Sequence, residues 1–195
     1  MNTIIGITAA ALLTFAASAS HAAGWSLSAE DSKVAFGSIK KDKVGEVHHF
    51  SGLAGSVGED GMASVEIDVT TLETWIDIRN ERMLNHVFNA EKFPKVKISA
   101  QIDMDDVAKL APGESETVTT EATLSFAGHD LNVETDLFVL AVGGGKVLVT
   151  TDEMLMVSAE ELQISAGIDK LMELAKLPSI TRTSPVTLRL MFTKN

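Results

Sequence analysis

The chain has no cysteine and no tyrosine, only four prolines, and 16 Lys or Arg against 27 Asp or Glu in 195 residues. Without cysteine there is no disulfide framework, no thiolate metal site and no thiol nucleophile. A G-x-S-x-G nucleophile elbow is also missing. The formal charge of −11 repels phosphate backbones and anionic membrane surfaces, so neither a nucleic-acid partner nor a basic membrane patch is expected. Residues 1–24 lack Asp, Glu, Lys and Arg altogether. What is present is apolar: 45% of the chain is hydrophobic, too much for a disordered polymer and enough to bury a core.

The uncharged start contains an apolar run over residues 4–17, followed by the small residues Ala17, Ser18, Ala19, Ser20, His21, Ala22 and Ala23. This pattern predicts a secretory signal peptide at 1–22, cleaved after Ala22, with Ala23 as the neighbouring choice. The run is shorter than the roughly 20 apolar residues of a membrane span, so no stable span is expected after cleavage. Residues 23–195 then form one domain.

Beyond Trp25 the sequence alternates with period two. Val96, Ile98, Ala100 and Ile102 oppose Lys97, Ser99, Gln101 and Asp103, and Val118, Thr120, Ala122, Leu124 and Phe126 oppose Thr119, Glu121, Thr123 and Ser125. The pattern predicts strands at 32–41, 44–57, 63–72, 96–104, 117–126, 131–142, 146–151 and 185–193. Gly58-Glu59-Asp60-Gly61, Ala127-Gly128-His129-Asp130 and Gly143-Gly144-Gly145 punctuate them as hairpin turns. Short connections imply antiparallel neighbours. The expected fold is mainly β: an eight-stranded antiparallel barrel, which leaves no exposed edges, with a two-sheet sandwich as the rival. Apolar residues at helical spacing predict one helix over 77–88, with Thr74 near its start, and a second over 168–177, stopped by Pro178. The two helices would cap the ends.

The inward strand faces carry mainly Val, Ala, Thr, Ile and Gly. An eight-stranded barrel is either just filled by side chains or holds one small ligand. Small β-branched linings leave volume that an apolar guest would occupy. The competing reading is a packed barrel plugged by its own helices, a ligand-free stress or interaction module.

Several segments resemble the YceI-like family. Asp31-Ser32-Lys33-Val34-Ala35-Phe36 is similar to its opening D-x-x-[VI]-x-F, and Gly45-Glu46-Val47-His48-His49-Phe50-Ser51-Gly52 to its G-x-F-x-x-F-x-G, with Val47 in place of the first Phe. The three-residue step from Val47 to Phe50 breaks period two and predicts a bulge there. The run from Arg79 through Asn80, Met83, Phe88 and Phe93 to Pro94 resembles R-[DN]-x-x-[LM]-x4-F-x4-[YF]-P, and Leu124-Ser125-Phe126-Ala127-Gly128 resembles L-T-[LI]-x-G. The likeness extends over 25–137, with a looser match in 185–192 and none over 152–167. It implies an eight-stranded lipocalin-like barrel, usually periplasmic, that binds a long apolar molecule such as a polyisoprenoid, a quinone or a fatty-acyl lipid.

The residues expected to line such a cavity are Phe36, Phe50, Ile67, Trp75, Ile78, Met83, Leu84, Phe88, Phe93, Ile98, Leu124 and Phe126. Arg79, Arg82 and His86 fall three and four residues apart and would share a helix face. They fit a clamp on a phosphate or carboxylate head; alternatively, Arg79 pairs with Asp77 or a strand carboxylate. No cofactor and no catalytic residue is expected. Gly143-Gly144-Gly145-Lys146 lacks the P-loop frame, and Asp103, Asp105 and Asp106 lack the Gly and Glu of a calcium loop, so they read as a solvated strand end. His48 and His49 point to opposite faces, and a zinc site from His49 and His86, the basis of a metal-assisted hydrolase, lacks a third ligand. The sequence says nothing about oligomeric state.

Overall fold

Strands made of alternating apolar and polar residues bury one face and must close on something. Here they close on each other. The computed structural model describes residues 23–195, except for the side chains of Ala23 and Asp106. The expected signal peptide lies outside the described residues. The strands are β1 (Ala23–Leu27), β2 (Lys33–Lys40), β3 (Val44–Phe50), β4 (Leu53–Gly58), β5 (Met62–Asp68), β6 (Leu72–Glu73), β7 (Lys95–Gln101), β8 (Ser115–Phe126), β9 (His129–Gly143), β10 (Lys146–Thr151), β11 (Leu155–Ser158) and β12 (Thr183–Lys194). All their pairings are antiparallel.

Twelve strands fill eight barrel positions, because four positions hold two strands in succession. β1 and β2 share one side of β12, and β10 and β11 share the other. β3 and β4 lie against β2 and β1, and β6 and β5 lie against β3 and β4. The barrel closes where Leu27 faces Phe192 and Val34 faces Leu188. The expected strand boundaries therefore describe barrel positions, each interruption being a local break. Between β3 and β4 the break falls at Ser51 and Gly52, not at Val47–Phe50. Val47 simply points outward, 69% exposed. Gly52 is required at the break: a Cβ there would stand 2.5 Å from the Thr71 side chain, whose Oγ1 accepts a hydrogen bond from the Gly52 amide. Between β5 and β6 a single 3-10 turn, Val69–Thr71, bends the chain, with Asp68 accepting from the Thr70 amide as its cap.

The first helix begins as α1 (Asp77–Arg82) and continues as a π-helix over Met83–Phe88, ending at left-handed Asn89. Thr74 does not cap it. Instead the fully buried Thr74 donates to the Asn80 side chain, and its own amide donates there too. A single turn, α2 (Met104–Val107), replaces the solvated strand end expected there, and Asp103 accepts from the Asp105 amide to start it. The last helix, α3 (Ser165–Ala175), starts three residues before its expected position and stops at left-handed Lys176. It crosses the π-helix at Gly167, where a Cβ would meet the His86 carbonyl oxygen at 2.2 Å.

Candidate functional site

The period-two face of the strands becomes the wall of a cavity of about 570 Å³, within the roughly 300–1,000 Å³ of ligand pockets. The barrel is not filled by its own side chains. β5 supplies Ala63, Val65 and Ile67, β7 supplies Val96, Ile98 and Ala100, and β8 supplies Val118, Thr120, Ala122, Leu124 and Phe126. Trp25, Ile102, Met104 and Val107 line one end. At the other end Met83, Val87 and Phe88 meet Ile168 and Leu171 of α3. Ile76, Ile78 and Ala175 are, among the described residues, the only lining residues classed as exposed. The mouth therefore lies between the start of α1 and the end of α3.

Along one side the aromatic rings form a continuous wall. Phe36 and Phe50 stack with centroids 5.4 Å apart, Phe50 meets the edge of Phe88 at 5.6 Å, and Phe88 meets Phe126 at 6.0 Å.

The mouth end is polar. Ser38, Lys40, Glu46, His48, Arg79 and Arg82 all line it. Arg79 Nη1 stands 2.6 Å from Glu46 Oε2, and Lys40 Nζ stands 2.8 Å from Glu46 Oε1. The second Arg79 Nη donates to the Thr74 carbonyl oxygen. Burial opposes charge on Glu46, but hydrogen bonds from Arg79 and Lys40 outweigh it and hold the carboxyl below its usual range. His48 is 2% exposed, tilts against Phe36, and lies with Nε2 3.1 Å from Ser38 Oγ. Burial, reinforced by the Arg79 charge, pushes its pKa down to about 4, so the ring is neutral near pH 7. His48 Nδ1 and Arg79 Nε are buried without a hydrogen-bond partner among the described residues.

Of the residues expected at the cavity, Phe36, Phe50, Ile67, Ile78, Met83, Phe88, Ile98, Leu124 and Phe126 line it, as do Arg79 and Arg82. Trp75, Leu84, Phe93 and His86 do not. Trp75 has left-handed backbone (φ 65°), which turns its ring outward onto His49 at 5.6 Å. Phe93 packs behind Phe126 and beneath Lys92. Leu84 and His86 fall in the π-helix, where each turn holds more residues than in an α-helix. The four-residue step from Arg82 therefore does not keep His86 on its face. Arg79 pairs with a strand carboxylate, Glu46, and not with Asp77. No group of three His, Asp or Glu able to hold a metal occurs among the described residues.

Ser38, Lys40, Glu46 and His48 also line the cavity, although the sequence did not single them out for it. Their signal was parity. Ser38 and Lys40 continue the Val34–Phe36 face, and Glu46 and His48 lead into Phe50 on the same face.

The YceI-like domain profile matches residues 25–191. The chain belongs to the YceI-like family. A polyisoprenoid-binding domain from Saccharophagus degradans, implicated in plant cell wall breakdown, is 32% identical, with a TM-score of 0.87 over 89% of this YceI-like chain and 100% of that one. BcnA of Burkholderia cenocepacia is 17% identical, with a TM-score of 0.66 over 85% of this chain and 98% of its own. A YCEI protein of Campylobacter jejuni is 12% identical, with a TM-score of 0.57 over 76% and 84% of the two chains. The last two share the fold alone with this YceI-like domain. No curated protein sequence matches the chain.

Proposed function

We propose that the chain is a periplasmic carrier that holds the tail of a long apolar lipid, of the polyisoprenoid or fatty-acyl type, inside the barrel. The observation that carries this reading is the 570 Å³ cavity with its aliphatic and aromatic wall. The 32% identical polyisoprenoid-binding domain supports the ligand class. The uncharged, apolar start of the chain supports export. A buried tail gains about 0.8 kcal/mol per CH2, so some ten carbons supply roughly 8 kcal/mol before ordering costs.

The guest's polar end belongs at the mouth. Arg79 spends its charge on Glu46, whereas Arg82 has no carboxylate partner among the described residues. The unpartnered polar atoms of His48 and Arg79 each lose about 1–3 kcal/mol while unsatisfied, which a guest oxygen would recover.

Native mass spectrometry of protein purified from cells, followed by organic extraction, tests the reading. A stoichiometric lipid and saturable uptake of a hydrophobic fluorophore are expected. Ala122→Phe, which places a ring in the cavity, should abolish that uptake while leaving the fold intact by circular dichroism. Absence of both lipid and uptake rejects the carrier.

A further inference from the structure

We propose that the cavity mouth is a docking surface for an anionic lipid bilayer, with Trp75 as its interfacial anchor; this rests on the carrier reading for its purpose. The sequence as a whole argues against such a surface, at −11. The fold distributes that charge unevenly. The three segments around the mouth, residues 39–46, 73–82 and 159–182, hold eight Lys or Arg against nine Asp or Glu, a net of −1. Lys41, Lys43, Arg82 and Lys176 in these segments have no ion-pair partner among the described residues. The excess acid therefore lies elsewhere on the barrel. β9 alone has 15 residues, a span of about 50 Å at 3.4 Å each. Charges acting across much of that length are screened at physiological salt, where the Debye length is about 8 Å. A membrane would sense the mouth rather than the whole protein.

The mouth is also apolar where it meets solvent. Trp75 is 75% exposed, and Ile76 and Ile78 beside it are both exposed and cavity-lining. Its left-handed backbone is sparsely populated by residues other than glycine. A local network holds it there: the Trp75 amide donates to Glu73, and Asn80 donates to the same carboxylate. The fold thus maintains a strained turn whose product is a solvent-facing indole at the cavity rim. Indole rings with one apolar body and one N–H sit at bilayer interfaces, and unpaired Lys and Arg complement anionic headgroups. A tail could then pass from bilayer to barrel without crossing water.

Flotation of the full chain with phosphatidylglycerol–phosphatidylethanolamine vesicles in about 0.15 M salt, where only near charges act, tests the proposal. The unaltered chain should co-float. Trp75→Ser should lower vesicle affinity about tenfold, the effect of losing one interfacial anchor, and leave fluorophore uptake in solution unchanged. Trp75→Phe should retain most of the binding, and quenching by brominated lipid should fall to the level set by Trp25. No flotation of the unaltered chain, or equal flotation of Trp75→Ser, overturns the proposal. So does a Trp75-dependent dimer without vesicle binding, which would make a second copy the occupant. Flotation without fluorophore uptake would sustain the surface and remove the carrier.

Discussion

The two halves of the cavity are built on opposite principles. Deep in the barrel the wall is aliphatic and aromatic, and its order comes from packing of Phe36, Phe50, Phe88 and Phe126. At the mouth β2 and β3 turn inward Lys40, Glu46, His48 and Ser38, and order comes from charge-assisted hydrogen bonds that Lys40 and Arg79 donate to Glu46. The first half tolerates an empty volume because apolar walls ask for nothing directional. The second must satisfy every polar atom it buries, and it leaves two of them open.

The comparison breaks most sharply in the aromatic wall. Phe126 is 3% exposed and touches Phe88 and Phe93 through ring edges. Phe126→Ala should destabilise the fold by about 3–5 kcal/mol, the usual range for a buried aromatic truncated to Ala. Urea denaturation measures it. A loss below about 1 kcal/mol would mean that the wall collapses around the gap and is not held by packing.

The next test lies where the helices cross near the mouth. Gly167→Ala inserts a methyl against the His86 carbonyl and the Val87 backbone. Backbone cannot swing aside as a side-chain tip does, so α3 must lift. An overpacking loss of about 1–3 kcal/mol is expected by the same denaturation, with weakened fluorophore retention because Ile168 and Leu171 move with the helix. Unchanged stability would show that the two helices are loosely seated.

The same division explains what the sequence disclosed. The deep half was legible because β7 and β8 keep strict period two, and Val96, Ile98 and Ala100 of the one and the alternate residues from Val118 to Phe126 of the other all line the cavity, with Thr120 the one polar side chain among them. The barrel followed from the short turns, such as Ala127-Gly128, where both residues have positive φ. The mouth was not legible, because there the rule inverts its chemistry while keeping its period. Lys40 and Glu46 look like solvent-facing residues until Arg79, more than thirty residues away, arrives to share the Glu46 carboxylate with Lys40. The switch from α1 to a π-helix at Met83 leaves no local mark, so Leu84 and His86 were assigned a face they do not occupy. The left-handed turn at Trp75 depends on Glu73 and Asn80 together, a contact that periodicity does not report.

The last of these effects belongs to the mouth and depends on pH. Burial first, then the Arg79 charge, lowers the His48 pKa to about 4 in the folded chain, against 6.5 when free. Above pH 6.5 neither state is protonated there and stability is unaffected. Below it the unfolded chain binds a proton that the folded chain refuses, so stability falls as pH drops toward 4. The depression corresponds to about 2 kcal/mol lost between pH 7 and pH 5. Urea midpoints at these two pH values, taken for the native chain and for His48→Gln, isolate the contribution, since other titrating groups are common to both. The native chain should lose the larger share, and the variant's curve should be flatter by about that amount. Equal slopes would mean that His48 is readily protonated in place, with water reaching its ring.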